Sequence, residues 1–209
     1  ADAAGLTIRP ASSASSNRTI SRAVDLPRPN GWFISSRPAR LMPLADIHGI
    51  GEGCTVVPRA AADRIAVGDA LLGRVVDAAL RPVDGRPTPV LPARARLHAT
   101  PPVAMERRRV SRPLPLGIRS IDAFLTVGEG QRLSIMAGPG VGKSVLLGML
   151  ARSADADVVV VGLVGERGRE VREFIERDLG DGLARAVVVV ATSDESALKR
   201  VRAAMVATT

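Results

Sequence analysis

Aromatic residues are almost missing from this chain of 209 residues: one tryptophan (Trp32), three phenylalanines and no tyrosine. A platform of rings for stacking nucleic-acid bases is therefore hard to find. Lysine is nearly absent too, with Lys143 and Lys199 the only two, so the net charge of +8 rests on arginine. The arginines alternate with Asp and Glu along expected helices, the pattern of a solvated mixed-charge surface, and no specific nucleic-acid partner is expected. A single cysteine, Cys54, rules out a disulfide framework or a thiolate metal cluster and reads as a small buried hydrophobe. His48 and His98 have no ligand-like spacing around them. The longest apolar runs, such as VVVVGLVG at 158–165, fall short of the roughly 20 residues a membrane helix needs. With no secretory signal visible at the start, a soluble, reducing compartment is expected, most simply a cytoplasm.

What is present falls into distinct stretches. Residues 1–36 include the Ser-rich ASSASSNRTIS and read as a flexible tail with little packed structure. From Arg40 come short apolar pieces divided by turns, RLMPL, CTVVP, RIAVG and ALLGRVV, which suggest small β elements. The stretch 81–117 holds eight prolines, which excludes long helices and central strands and suggests an extended connector.

Beyond Ile118 the pattern turns regular. QRLSIMA reads as a strand entering a glycine turn, and Lys143 to Ala151 as a helix with Leu146, Leu147 and Leu150 on one face. DVVVVGLVG and ARAVVVVAT read as buried strands. Between them, a helix near Arg169 to Asp178 carries Val171, Phe174 and Ile175 at i, i+3, i+4. Thr192 with Glu195 suggests a capping box for a last helix bearing Leu198, Val201 and Met205. Alternating strands and helices predict a parallel α/β sheet.

The glycine turn, AGPGVGKS, carries the chemistry. A strand, a glycine-rich turn and a helix start ending in Lys-Ser form a P-loop, whose backbone N–H groups and helix N-terminus favour an anion. Ala137 stands where the simple pattern writes its first glycine. Gly138, Gly140, Val141, Gly142, Lys143, Ser144 and Val145 are the expected nucleotide-binding positions, together with Pro139, which has no N–H to donate. Lys143 would neutralise phosphate oxygens and the Ser144 hydroxyl would ligate Mg²⁺. Glu166 follows the next strand, where it could activate a water or simply complement a helix dipole.

GQRLSIMAGPGVGKSVLLGMLAR, DVVVVGLVGERGREVREFIERDLG and VVVVATSDESALKRVRAAMVAT resemble the ATPases of bacterial type III secretion and flagellar export, which are similar to the catalytic subunit of the rotary ATP synthase. The resemblance runs from about Leu41 to Thr209. It implies a RecA-like P-loop NTPase domain with an incomplete parallel sheet and flanking helices over 118–209. Before it would come a partial small β-barrel over 37–68 and a connector over 69–117, with 1–36 outside the family pattern. It implies ATP and Mg²⁺ as cofactors, Lys143 and Glu166 as catalytic residues, and Arg167 as a contact to the phosphates.

It further implies a homohexamer at the cytoplasmic, inner-membrane base of a secretion apparatus. The partners would be stalk and regulator proteins and chaperone–substrate complexes, and ATP would drive chaperone release and unfolding. Pro139 stands where the family usually has a small residue. The family's Walker B aspartate, arginine finger and adenine pocket lie beyond the matched blocks. The chain is thus expected to be a fragment with weak nucleotide binding, little turnover and an exposed strand edge. The injectisome form is favoured over the flagellar one by VATSDESAL and FIERDLG. A hexameric RNA translocase would need an aromatic-rich RNA-binding front domain, and a non-catalytic ring subunit would lack Glu166.

Overall fold

The structure is a computed structural model that describes residues 64–138 and 140–209 with their side chains, and the backbone of Leu6–Arg9 and Thr55–Pro58. Contacts divide the chain into two units, Ala1–Arg64 and Ile65–Thr209. In the first, β1 (Leu6–Arg9) pairs antiparallel with β2 (Thr55–Pro58). The stretch 1–36, expected to have little packed structure, therefore supplies a strand: LTIR is β-prone enough to pair once a partner is available. CTVVP meets its expectation through β2. RLMPL and most of the expected barrel lie outside the described residues.

In the second unit, β3 (Arg64–Val67) pairs with β5 (Ala93–Arg96) in a two-stranded sheet. The main sheet is parallel and three-stranded, in the order β4 (Arg74–Asp77), β7 (Ala186–Ala191), β6 (Val159–Val164). Strand β7 is central because AVVVVA packs on both faces. Val188 and Val190 join Val75, Leu163, Val171, Phe174 and Leu179 on one side. Val189 and Ala191 join Ile65, Val76, Ala203 and Val206 on the other. Helices α2 (Lys143–Ser153) and α3 (Gly168–Glu173) contribute to the first layer and α4 (Ala197–Thr208) to the second. A short α1 (Arg119–Phe124) packs through Ile121 with Leu116, Ile118, Leu146 and Leu150.

Four expectations change. The span 69–117 is more than a connector, because β4 carries Val75 and Val76 into the core of the sheet. QRLSIMA forms no strand: among the described residues its backbone pairs with no strand, and Met136 is 92% exposed. The cap of α4 is Ser196, whose side-chain oxygen accepts from the Lys199 N–H, and not Thr192. The Thr192 hydroxyl is committed to Asp194, whose carboxyl it holds below the usual carboxylate range. With that start, α4 buries Ala203 and Val206 and leaves Val201 exposed. Among the described residues no helix is long and apolar enough to cross a membrane.

After Glu173 the third helix widens into a π-helical turn, Phe174–Leu179, which buries Phe174, Asp178 and Leu179. Helix α2 lies on this turn through Gly148, where a Cβ would meet the Asp178 backbone. Gly148→Ala is expected to push α2 off the turn and cost about 1–3 kcal/mol, measured by urea unfolding.

The edge strand β4 is fixed by a buried ion pair. Arg74 Nε donates to Asp84 Oδ2 at 2.7 Å, and Arg74 also donates to the Pro87 carbonyl at 2.8 Å. The guanidinium, with help from the Arg86 and Val75 N–H groups, holds the Asp84 carboxyl far below its usual range. Because its folded pKa is depressed, its contribution is present above the unfolded value of about 3.9 and is lost as pH falls toward the folded one. Asp84→Asn is expected to lower the thermal midpoint at pH 7 by roughly 5–10 °C. The same change should flatten the loss of stability between about pH 4 and pH 2, followed by circular dichroism.

Candidate active site

The glycine turn closes as its residues dictate. Gly140 and Gly142 take φ of 77° and 95°, left-handed values that a side chain would resist. Gly142 is the N-cap of α2, and its carbonyl accepts the Leu146 N–H at 2.9 Å, so Lys143 and Ser144 start the helix. The free N–H groups of this first turn and the helix dipole favour an anion beside them.

A cleft of about 560 Å³ opens here. Of the expected residues, Gly138, Gly140, Gly142, Lys143, Ser144, Val145 and Glu166 line it. Val141 is exposed and is not among the lining residues, and Pro139 lies outside the described residues. Arg167 does not line it either; as the N-cap of α3 it places Nη1 3.5 Å from Glu170 Oε1.

Glu166 is held by its own backbone. Strand β6 ends in register with β7, Val164 opposite Ala191, and the Ser193 N–H donates to the Glu166 carbonyl at 3.0 Å. That geometry aims its side chain across the cleft, where Lys143 Nζ donates to Glu166 Oε1 at 3.4 Å. Both side chains are more than a third exposed, so the pair is worth about 0–1 kcal/mol. Each charge-assisted bond from Lys143 to a phosphate is worth about 1.5–3 kcal/mol. A polyphosphate bound there would outcompete Glu166 for the lysine.

Glu170, Glu173, Arg177 and Asp178 complete the lining and were not anticipated. Part of the signal was in the spacing: Glu170 and Glu173 lie three apart on one face of α3, whereas Glu166 precedes the helix and Arg177 lies in the π-helical turn. Arg177 donates to Glu173 at 2.8 Å and lies 3.5 Å from Asp178, so its charge is already partnered on this wall.

Fold and site together define a P-loop nucleotide-binding domain. Residues 117–209 match the family model "ATP synthase alpha/beta family, nucleotide-binding domain". The flagellum-specific ATP synthase of Treponema pallidum is 49% identical over 176 residues, 84% of this chain and 39% of that protein. The type 3 secretion system ATPase of Sinorhizobium fredii is 49% identical over 173 residues, 80% of this chain and 38% of that one. Among solved structures, the assembled ATPase EscN in complex with its central stalk EscO, from the type III secretion system of enteropathogenic E. coli, superimposes with a TM-score of 0.77 at 40% identity. That match covers 90% of this chain and 49% of the other. Over residues 117–209 the chain belongs to the ATP synthase alpha/beta family, and the relatives it matches over about four fifths of its length include type III secretion and flagellar export ATPases. It spans about two fifths of the length of the curated relatives it matches.

Removing the carboxylate that competes for Lys143 should favour anions. Glu166→Gln is expected to bind pyrophosphate several-fold more tightly than the unchanged chain, and isothermal titration at low salt would read the difference.

Proposed function

We propose that this chain binds ATP with Mg²⁺ in the P-loop cleft and is the nucleotide-handling part of a motor for bacterial type III protein secretion. The observation that carries the reading is Lys143 facing Glu166 at 3.4 Å between the P-loop and the end of β6. The lysine binds the phosphates, and Glu166, displaced by them, is free to orient and activate a water for in-line attack. Arg167 swings from Glu170 to the phosphates.

The cleft's own charges favour a nucleotide that arrives with its cation. Lys143 and Arg177 are the cationic side chains of the lining, and Glu166, Glu170, Glu173 and Asp178 the anionic ones. A bare triphosphate meets a wall with a net charge of −2, the two cations offsetting half of the four carboxylates. Among the described residues no group of three or more His, Cys, Asp or Glu could hold a metal on its own. The Ser144 hydroxyl, an oxygen donor in the lining, suits a hard cation carried by the phosphates.

The protein that carries this domain would act as a homohexamer with stalk and regulator proteins at the cytoplasmic face of the inner membrane. There it would release chaperones from exported proteins and unfold them. Flagellum-specific relatives match at the same identity as injectisome ones, which favours flagellar export as a second reading. Deleting the gene would separate the two, through loss of effector secretion in one case and loss of motility in the other.

A fluorescent ATP analogue is expected to bind the 209-residue chain with micromolar affinity in the presence of Mg²⁺. Lys143→Ala should weaken that binding at least ~10-fold. Equal affinity in the variant would refute the reading.

A further inference from the structure

We propose that Arg185 is a positioning residue for the nucleotide site, acting through the far end of the P-loop helix; this rests on the reading of the cleft as an ATP site. Arg185 ends the 3₁₀ segment Gly180–Arg185 and directly precedes β7. Its guanidinium reaches sideways to the C-terminus of α2. Nη1 donates to the Ala156 carbonyl at 2.6 Å. Nη2 donates to the carbonyls of Ala151 at 3.1 Å, Arg152 at 3.1 Å and Ala154 at 2.8 Å.

The last carbonyls of a helix have no partner inside it, and a cation suits the negative end of its dipole. One side chain here collects three carbonyls from the end of α2 and a fourth two residues further on. A planar fork does this where a lysine, with its compact ammonium, would not.

The consequence is geometric. Helix α2 starts at Lys143 and runs 11 residues, about 16 Å at 1.5 Å per residue. It is a stiff lever with Arg185 at one end and the phosphate cradle at the other. The segment entering the cradle, Gln131–Ala137, joins no strand, so it offers no ladder to hold the P-loop from the other side. Strand β7 carries Arg185 at its beginning, and just past its end the Ser193 N–H holds Glu166. The same strand therefore references both partners of the Lys143–Glu166 pair: one through Arg185 and α2, the other through the backbone at Ser193. Gly148 on Asp178 and Gly182 beside Arg152 are close contacts around which the helix can pivot once its end is free.

The test measures affinity for a fluorescent ATP analogue with Mg²⁺, at a temperature where circular dichroism shows each variant of the 209-residue chain fully folded. Arg185→Gln is expected to weaken binding on the order of tenfold, and Arg185→Lys several-fold. In the Arg185→Gln background, Glu166→Gln should no longer tighten anion binding, because the lysine has left the carboxylate. Asp84→Asn, at the edge strand, serves as a control that lowers the melting temperature and leaves affinity unchanged. A merely structural arginine would behave like that control, with a lower midpoint and unaltered affinity, and this result overturns the proposal. If Arg185→Gln does not fold, Arg185→Lys decides, and wild-type affinity in it overturns the proposal. Failure of the unchanged chain to bind the analogue is a separate outcome that overturns the ATP reading and this inference with it.

Discussion

The parallel pairing of β7 with strands on both of its sides is the constraint on which the unit from Ile65 onward depends. Val188 and Val189 are almost completely buried, and they point to opposite layers. A strand buried on both faces tolerates no slip, because a shift by one residue exchanges the two sets of side chains. The pairing of Val164 with Ala191 then decides where β6 stops, and the residues that follow start from a fixed place. Position in the cleft is inherited from hydrophobic register rather than set by polar contacts within it.

The electrostatics of the cleft complement this rigidity. A backbone hydrogen bond holds the main chain of Glu166, while its side chain stays partly solvated in a weak ion pair. A group anchored through its carbonyl can change side-chain partners without disturbing the sheet. The buried Arg74–Asp84 pair is the opposite case, with the charges themselves tying the β4 edge to the turn that follows it.

Much of this architecture was legible in the chain. The valine runs gave β6 and β7, and Gly-Lys-Ser gave the cradle and the start of α2, because these signals are local and strong. What escaped depends on distant partners. QRLSIMA has the composition of a strand, but strands need neighbours, and its composition says nothing about whether one is present. GRVV looked like part of a small β unit because its partner, β7, lies more than a hundred residues along the chain. Thr192 and Ser196 are both good caps in isolation. The hydroxyl of Thr192 is taken by Asp194, and such a local competition does not show in spacing. In the cleft, Lys143 and Glu166 were found by type and position, whereas Glu170, Glu173 and Arg177 were read as an ordinary charged helix face.

The π-helical turn at Phe174–Leu179 gives the cleft wall a particular phase. A π turn holds one residue more than an α turn, so everything after it is rotated by about 100° relative to a continuous helix. Arg177 and Asp178 lie within that widened turn and reach the cleft, while Leu179 is turned fully into the core. The chemistry of this wall is therefore encoded in the number of residues as much as in their identity. A homologue one residue shorter here could keep every glutamate and arginine and still present a different surface to its ligand.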